Sequence, residues 1–461
     1  MSIFSISSRR LKNTTAGRAV ADTFRAWGFL LLAVAWLLLV QAKPAWSLSE
    51  DTREQLSVFA EALGIIEDNY VEAKDTKKLI YGAIKGMVSS LDSHSSFMAP
   101  EEFKELQIET KGSFSGIGIE ITHKDGLLIV VSPIEGTPAY KAGLQAGDRI
   151  VKIDGVNTKN MTLMEAVRRI RGAKGSTVTL GIMRENLGKL KNYSLVREII
   201  PIRSIRTRYF EDGIGYIRIT NFQDKTDHDL RRAIKDLTAK CKPLRGLIVD
   251  LRNDPGGLLD QAVKVADEFL SSGLIVYTEG RNKAQTHRFY ANQENTGLEK
   301  SIPIVVLINE GSASASEIVA GAIQDQKRGL LVGAKSFGKG SVQTIIPLED
   351  GSALRLTTAH YYTPSGRSIQ EKGIQPDLVV EAPPIPEGKS VKDLRQEALQ
   401  RRMKGEGITD KPWTVPISSE ELEKDPQLAQ AVQVVRQGPP KKTADTASKP
   451  NNEPPPPQKV K

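Results

Sequence analysis

The chain has very little cysteine and little histidine. Cys241 is the only cysteine among its 461 residues, which excludes an intramolecular disulfide and any metal site built on cysteines. The five histidines are scattered along the sequence, and neither a cluster of metal ligands nor a glycine-rich phosphate-binding loop is present. The sequence therefore predicts no metal and no other cofactor.

The body of the chain also lacks a charge excess, although the net charge is +9. Residues 1–47 contain six Lys or Arg and one Asp, and residues 438–461 contain five Lys and two acids. The body between them keeps a net charge of only +1. No basic face for nucleic acid is indicated.

Residues 1–47 have the order of a secretory signal. Basic residues precede the apolar run "AWGFLLLAVAWLLLV", and the small residues of "PAWSLSE" follow it. We expect export to the periplasm or cell envelope, with cleavage after Ser47. An uncleaved membrane anchor is the alternative, because the apolar run is long.

The full sequence is 39% hydrophobic and 26% charged, which suits two or three packed domains. The apolar residues first have helical spacing, then form short β runs bounded by glycines, and then form alternating strands and helices. That alternation predicts an α/β layered domain. The predicted segments are a helical arm at 48–111, a β module with one main helix at 112–198, an α/β core at 199–382, a helical segment at 383–437 (helices at 391–403 and 418–436), and a disordered Pro/Lys-rich tail at 438–461.

Two glycine-bearing loops are expected at the carboxyl ends of core strands, where ligands of α/β sheets gather. One is "DLRNDPGGLLD", in which Gly256 and Gly257 permit a sharp turn, and the other is "INEGSASASEIVAGAI". Facing each other, they could supply the two backbone donors of an oxyanion hole. The alternative is a plain tight turn beside a serine that caps a helix.

A nucleophilic serine needs a base, and histidine is the usual one. None of the histidines lies in a glycine-framed loop, and His360 is the only one on the later strands. Lys339, between Gly338 and Gly340, is the other candidate, since a desolvated lysine loses its proton well below its ordinary pKa. Gln343 has the same strand parity and is predicted to hold Lys339 by a hydrogen bond.

These segments resemble the carboxyl-terminal processing peptidases, the tail-specific proteases of the serine-lysine class. The motifs "DLRNDPGG", "GSASASEI", "SFGKGSVQ" and "YYTPSGRSIQ" occur in the family's order between about 56 and 378. In that family the lysine lies 25 residues after the serine, and the glutamine four after the lysine. The resemblance implies that Ser314 attacks the peptide carbonyl, Lys339 takes its proton and Gln343 orients Lys339.

The resemblance also implies an oxyanion hole and a fold. The N–H of Ala315 and that of Gly256 or Gly257 would bind the oxyanion, on a core like those of Clp protease and crotonase. One departure concerns Asp254, because many relatives have Asn-Asn where this chain has Asn253-Asp254. A carboxylate there would oppose an oxyanion unless it points away.

The β module resembles a PDZ domain, in which a Gly-Ile-Gly-Ile loop binds a peptide's terminal carboxylate and the next strand pairs with the peptide. Arg171, after the module's helix, is the candidate for coupling this module to the core. The predicted peptide-binding residues are Gly116, Ile117, Gly118, Ile119, Ile121, Leu163 and Val167.

The expected function is an exported serine endopeptidase acting on proteins or peptides with a free, apolar C-terminus. An adaptor protein and assembly into a homo-oligomer stay open, and membrane contact is expected only through a retained signal. Two alternatives have other chemistry: a catalytically silent PDZ adaptor or chaperone of the envelope, and a crotonase-like acyl-transfer enzyme that needs no serine-lysine pair.

Overall fold

The structure is a computed structural model that describes residues 49–124, 126–184, 190–283, 286–292, 298, 301–381 and 416–438. Among these residues, no helix has both the length and the apolar character needed to span a membrane. The predicted signal, the predicted helix at 391–403 and nearly all of the predicted tail lie outside the described residues.

The chain divides into two compact units, residues 1–83 and 84–461. The described part of the first unit is helical, as the apolar spacing predicts. Helix α1 spans Glu50–Asn69 and begins at Ser49, whose hydroxyl accepts a hydrogen bond from the Thr52 N–H. Helix α2 spans Thr76–Ser89 and crosses the boundary between the units.

The second unit continues with elements that lead into the β module. Strand β1 is Ser96–Met98, and helix α3, Pro100–Lys111, starts with a proline and has Gly112 as its C-cap. The module's elements are β2 (Ser113–Gly116), β3 (Ile119–Lys124), β4 (Leu127–Pro133), α4 (Pro138–Lys141), β5 (Arg149–Ile153), β6 (Val156–Asn157), α5 (Leu163–Ile170), β7 (Thr177–Met183), β8 (Lys191–Val196) and β9 (Glu198–Pro201).

The strands of the β module form a sheet in the order β3-β4-β5-β7-β8, with β6 paired to β5. Its apolar residues form a core of their own, which includes Ile117, Val130 and Ala166. Strand β3 lies at the edge of this sheet, and α5 packs beside it. The first and last strands, β2 and β9, pair with each other, so the two ends of the module lie side by side.

The core contains two further sheets. Their elements are β10 (Ile205–Tyr209), β11 (Ile214–Ile219), α6 (Thr226–Lys240), β12 (Gly246–Asp250), α7 (Leu259–Asp267), β13 (Leu274–Gly280), β14 (His287–Tyr290), β15 (Ile304–Ile308), α8 (Ala315–Asp325), β16 (Leu330–Gly333), β17 (Ser341–Pro347), β18 (Ala353–Tyr362) and β19 (Leu378–Val379). This alternation confirms the predicted α/β layering.

The larger sheet has the order β10-β11-β12-β15-β16-β19. Its neighbouring strands pair in parallel from β11 to β12, β15, β16 and β19. Its central strands β12 and β15 are buried along their whole length because both faces are covered. Leu247 and Val306 pack in one core cluster with residues of α6, α7 and α8. Ile248 and Leu307 point to the other face and pack with residues of the C-terminal segment.

That C-terminal segment is two helices, α9 (Ser419–Glu423) and α10 (Pro426–Gln437), where one helix was predicted. Pro426 at the first position of α10, with Asp425 as its N-cap, explains the break, since proline begins a helix readily and does not continue one. The fully buried Ala431 and the nearly buried Val432 cover the sheet face opposite α7 and α8. The C-terminal segment is therefore part of the core.

The second core sheet carries the residues around Lys339. It has the order β1-β18-β13-β14, and β17 pairs with β18. The pairing of β17 with β18 shifts register between Val342 and Gln343, which is a β-bulge. The bulge follows Lys339 closely and changes which side chains of β17 share a face.

Candidate active site

A cleft of about 460 Å³ joins the two predicted loops and the segment that precedes β17. Its walls contain backbone of the glycine loop, the start of α8 and the apolar side chains of Leu106, Leu259, Ile318 and Val342. The structure brings together in this cleft the candidate residues Ser314, Ala315, Gly256, Gly257, Lys339 and Gln343. Among the described residues that line it there is no histidine.

Ser314 lies at the N-cap of α8 with φ 57° and ψ −113°. This left-handed conformation is unfavourable for a residue with a side chain and recurs at functional sites, where the surroundings hold it in place. Its hydroxyl makes no capping hydrogen bond to α8. The plain capping alternative therefore does not describe Ser314, whose side chain points into the cleft instead.

The two neighbouring serines have structural roles. The Ser312 hydroxyl donates to the Leu251 carbonyl at 2.8 Å, and the Ser316 hydroxyl donates to the Asp254 carbonyl at 2.9 Å. Both side chains are fully buried. They tie the serine loop to the glycine loop, as small packing residues would.

The glycine loop needs glycine at both positions. Gly256 has φ 98° and Gly257 φ 150°. A Cβ on Gly256 would lie 2.8 Å from the Ser314 Cβ, and one on Gly257 would lie 2.1 Å from the Phe222 carbonyl oxygen. The loop can approach the serine only because both side chains are absent.

The hydrogen bonds of this loop distinguish the two glycines. The Gly256 N–H donates to the Asp254 carboxyl oxygen Oδ1 at 2.9 Å. The Phe222 N–H donates to the Gly256 carbonyl, and the Leu258 N–H donates to the Phe222 carbonyl. The Gly257 N–H between them has no hydrogen-bond partner among the described residues. The Gly257 and Ala315 N–H groups are thus two backbone donors at the cleft that have no hydrogen-bond partner among the described residues.

Lys339 is partly buried in the cleft wall. Burial lowers the pKa of its ammonium, the nearby positive charge of Arg355 lowers that pKa further, and Glu317 opposes both. A lysine in such a place can be neutral at a pH where a solvated lysine is charged. This is the property that a lysine base requires.

Glu317 connects the serine to the lysine, and sequence reasoning did not single it out. It is fully buried on the first turn of α8. Its oxygen Oε2 accepts from the Ser314 N–H at 2.8 Å and from the Lys339 N–H at 2.9 Å. Its oxygen Oε1 accepts from the Gly338 N–H at 2.7 Å and from the Ser336 hydroxyl at 2.6 Å. One carboxylate therefore holds the backbones of both candidate catalytic residues.

Tyr361 is a second residue of the cleft that the sequence analysis missed. Its buried hydroxyl donates to the Lys339 carbonyl and lies beside the Ser314 side chain. Burial raises the pKa of this phenol well above its ordinary value. His360 is exposed and belongs to the opposite face of β18, as strand alternation requires. It is therefore not placed to act as the base.

The Gln343 amide nitrogen has neighbours other than Lys339 among the described residues, and the hydrogen bond to Lys339 stays a prediction. The Gln343 amide donates to the Ser341 hydroxyl at 2.8 Å and lies 3.5 Å from the Thr357 hydroxyl. The prediction assumed regular strand alternation from 339 to 343. Strand β17 begins only at Ser341, and its bulge between Val342 and Gln343 breaks the parity.

In the β module, Gly116 ends β2 and Gly118 has φ 75°. The Ile117 side chain is fully buried, whereas Ile119 and Ile121 on edge strand β3 are only partly buried. Leu163 begins α5 and Val167 lies one turn further along it. The predicted peptide-binding residues therefore lie along one edge of the sheet and on the adjacent helix.

Arg171, the C-cap of α5, forms an ion pair with Glu105 of α3, and its guanidinium lies 4.8 Å from the ring centre of Phe114. Helix α3 also supplies Leu106 and Glu109 to the wall of the cleft. Arg171 thus contacts the helix that borders the candidate active site.

Comparison with known families matches three segments of the chain. Residues 213–380 match peptidase family S41, residues 105–183 match the PDZ domain, and residues 40–102 match the N-terminal domain of the activating protease CtpB.

Individual relatives extend these matches over most of the chain. The carboxy-terminal-processing protease of Bartonella bacilliformis is 47% identical over 87% of this chain and 92% of its own length. The carboxy-terminal processing protease CtpA of Bacillus subtilis is 39% identical over 69% and 67%. A solved photosystem II D1 C-terminal processing protease is 30% identical over 70% of this chain and 92% of its own, with a TM-score of 0.41.

These matches define a serine-type protease with a PDZ domain, which acts on peptides or proteins. The chain belongs to the carboxy-terminal processing proteases of peptidase family S41. The predicted fold class and family are thereby confirmed. The acyl-transfer enzyme and the silent adaptor are set aside, because the family consists of serine-type proteases.

Proposed function

We propose that this protein is an exported endopeptidase that cleaves with a dyad of Ser314 and Lys339 and selects substrates by their free C-terminus through its PDZ domain. The observation that carries the dyad is the shared carboxylate of Glu317, whose Oε2 binds the backbone N–H of both residues. The strained conformation of Ser314 and the lowered pKa of Lys339 support the same assignment.

In the proposed mechanism the neutral Lys339 amine takes the proton of the Ser314 hydroxyl as its oxygen attacks the peptide carbonyl. The negative charge that forms on the carbonyl oxygen is stabilised by the N–H groups of Ala315 and Gly257. The protonated Lys339 gives its proton to the leaving amine, and an acyl-enzyme on Ser314 remains. Water, deprotonated by Lys339, then releases the acyl product and regenerates the serine.

The dyad is tested by incubating the purified protein with an unstructured peptide that has an apolar free C-terminus and identifying fragments by mass spectrometry. Ser314→Ala and Lys339→Ala should each lower kcat/KM by at least about 1,000-fold without lowering the melting temperature greatly. Lys339→Arg should fail as well, because guanidinium does not give up its proton. Lys335→Ala, an exposed lysine of the same loop, is the matched control. Normal turnover by either alanine variant would contradict the dyad.

Recognition of the C-terminus is supported by the edge position of β3 and by the apolar side chains of Ile119, Ile121 and Val167 beside it. A peptide that adds a strand to β3 would place its terminal carboxylate at the loop of residues 116–119. Backbone N–H groups there would bind the carboxylate. Amidation of the peptide removes that charge, so cleavage should slow mainly through a higher KM.

Two exposed apolar residues of the PDZ domain offer a matched pair for this test. Leu163 is 38% exposed at the start of α5, and Val156 is 43% exposed on β6. Leu163→Asp should raise KM for the free peptide, while Val156→Asp should not. Equal cleavage of free and amidated peptides by the intact enzyme would contradict C-terminal selection by this domain.

Coupling of the PDZ domain to the core is proposed to use Arg171. Its partner Glu105 lies on α3, the helix that borders the cleft. Arg171→Gln and Glu105→Gln should each lower kcat for long substrates, and the double variant should be no worse than the worse single one. Additive losses would show that the two residues act separately.

Export rests on the signal-like order of residues 1–47. Fractionation of cells that carry the full-length chain tests it, and N-terminal sequencing of the recovered protein distinguishes cleavage after Ser47 from a retained anchor. The same preparation, analysed by light scattering, decides the oligomeric state. Accumulation of the full-length chain in the cytoplasm would contradict export.

A further inference from the structure

Asp254 is a buried carboxyl group in the glycine loop, and the proposed reaction gives it no role. It is fully buried between β12 and α7. Its Oδ1 accepts one hydrogen bond, from the Gly256 N–H at 2.9 Å. Its Oδ2 is also buried and has no hydrogen-bond partner among the described residues. A carboxylate needs several donors to offset the loss of water, and Asp254 has one.

The backbone of Asp254 joins the two halves of the cleft. Its carbonyl accepts from the Ala313 N–H at 2.9 Å and from the Ser316 hydroxyl at 2.9 Å. Both donors belong to the loop that carries Ser314. Because the side chain of Asp254 also binds the Gly256 N–H, the residue fixes the turn that leaves the Gly257 N–H open to the cleft.

The Ser316 hydroxyl is one neighbour that can pair with the neutral form of the Asp254 carboxyl, whereas the Gly256 N–H and Arg218 favour its ionised form. The Ser316 hydroxyl lies beside the carboxyl, but its proton is already donated to the Asp254 carbonyl. Toward the carboxyl it can therefore act only as an acceptor, and a protonated carboxyl can donate to it whereas a carboxylate cannot.

The charged groups that act on Asp254 come from β11 and β12. Arg218 favours the ionised form, and Asp250 opposes it. Arg218 lies 3.8 Å from Asp250, so its charge is shared with that carboxylate. Burial, the largest influence, raises the pKa of Asp254 to about 8 against the hydrogen bond from Gly256.

We propose that Asp254 is a positioning residue that acts as a neutral carboxylic acid. Its carboxyl oxygen accepts from the Gly256 N–H, as the amide oxygen of an asparagine would. This hydrogen bond holds the turn in which the Gly257 N–H faces the reacting carbonyl. The proposal rests on the proposed oxyanion hole and adds a condition to it. Ionisation of Asp254 would place a buried negative charge next to the site where the oxyanion forms and would weaken its binding.

If activity requires a protonated Asp254, activity should fall at alkaline pH, where Asp254 loses its proton. The acidic limit belongs to Lys339, which must lose its proton. The alkaline limit belongs to Asp254, which must keep its own. The pH profile of kcat/KM should be bell-shaped, and Asp254→Asn should remove only its alkaline side, because an amide of the same shape keeps the bond to Gly256 and cannot ionise in this range.

The first test measures stability and does not depend on catalysis. The folded-state pKa of Asp254 lies above the unfolded value of about 3.9, so its protonation stabilises the fold at low pH, and this stabilisation is lost as the pH rises through the folded-state pKa. The melting temperature of full-length Asp254→Asn minus that of the parent should grow between pH 5 and pH 8 and level off above pH 9. Asp260→Asn, an exposed acid of α7, should show no such trend.

The second test is the pH profile of cleavage. At pH 7 Asp254→Asn should keep kcat/KM within about 3-fold of the parent, and at pH 9 it should exceed the parent about 10-fold, as expected for a group with a pKa near 8 that must stay protonated. Its acidic limb should be unchanged. A melting-temperature difference that is the same at every pH, or an alkaline limb that survives in Asp254→Asn, would overturn the proposal. Because the stability test needs no turnover, failure of the serine-lysine dyad alone would leave its result unchanged.

Discussion

Two buried carboxyl groups hold the loops that form the cleft, and their surroundings differ. Glu317 accepts hydrogen bonds from three backbone N–H groups and one hydroxyl. Asp254 accepts one, from Gly256. Burial raises the pKa of both groups, but at Glu317 four donors act against it. The comparison shows that burial alone does not decide whether a carboxyl is charged, since the number of donors around it decides as well.

The difference matches what each group holds. Glu317 fixes the backbones of Ser314 and Lys339, and its charge also acts on the Lys339 ammonium. Asp254 holds the glycine loop, where a negative charge would oppose the developing oxyanion. The carboxyl with four donors therefore lies on the side of the base, and the carboxyl proposed to be neutral lies on the side of the oxyanion.

The largest effect is expected from Glu317→Ala. This change leaves the buried Gly338 N–H, the partly buried N–H groups of Ser314 and Lys339 and the Ser336 hydroxyl without their acceptor. Each unpaired buried donor costs about 1–3 kcal/mol. We expect a fall in kcat/KM of more than about 100-fold and a clearly lower melting temperature. Glu310→Ala, an exposed acid of the serine loop, should change neither.

Glu317→Gln separates the charge of Glu317 from its shape. Loss of the negative charge removes the influence that raises the pKa of Lys339. The acidic limb of the kcat/KM profile should therefore move to lower pH, even though the activity at the plateau falls. A limb that moves to higher pH would contradict the role given to this carboxylate.

The sequence predicted the parts of this site that depend on local chemistry. Glycines at 256 and 257 and a serine before a helix indicate their turns directly, and Lys339 followed from the glycines on both sides of it. Glu317 could have been found as well, because a glutamate three residues after a serine N-cap is a known helix-start pattern. That pattern does not reveal that its carboxylate also binds the backbone of Lys339, which depends on tertiary packing.

Other features depended on contacts between distant segments. The bulge in β17 between Val342 and Gln343 is set by pairing with β18. The C-terminal helices were predicted, but their position on the second face of the larger sheet was not, since amphipathic spacing does not identify the surface that a helix covers. The state of Asp254 likewise depends on which donors the fold places around it.

Arg355→Gln should produce a smaller effect of opposite sign to Glu317→Gln. Arg355 lines the cleft, and its positive charge lowers the pKa of Lys339. Without that charge Lys339 holds its proton more tightly, so the acidic limb should move to higher pH and activity at pH 7 should fall by less than about 10-fold. Activity should recover at higher pH, whereas Arg281→Gln, at an exposed position, should leave the limb in place.

The smallest effects are expected from two serines, one beside each carboxyl. The Ser336 hydroxyl donates to the Glu317 carboxylate and accepts from the Ile374 N–H. The Ser316 hydroxyl donates to the backbone carbonyl of Asp254, which is an uncharged acceptor. Hydrogen bonds to charged groups contribute about 1.5–3 kcal/mol and neutral ones about 0.5–1.5 kcal/mol.

Ser336→Ala should therefore lower the melting temperature by about 5 °C or more, and Ser316→Ala by about 2–3 °C with kcat/KM within about 3-fold of the parent. Ser301→Ala, at an exposed position, provides the baseline in the same thermal scans. The sharper measurement repeats the scans at pH 5 and pH 9. If the Ser316 hydroxyl oxygen accepts a hydrogen bond from the protonated Asp254 carboxyl, Ser316→Ala should cost more at pH 5, where that bond exists, than at pH 9, where the carboxyl is ionised. A cost for Ser316→Ala that is larger at pH 9 would mean that the hydroxyl donates to a carboxylate, and the two buried carboxyl groups would then be alike.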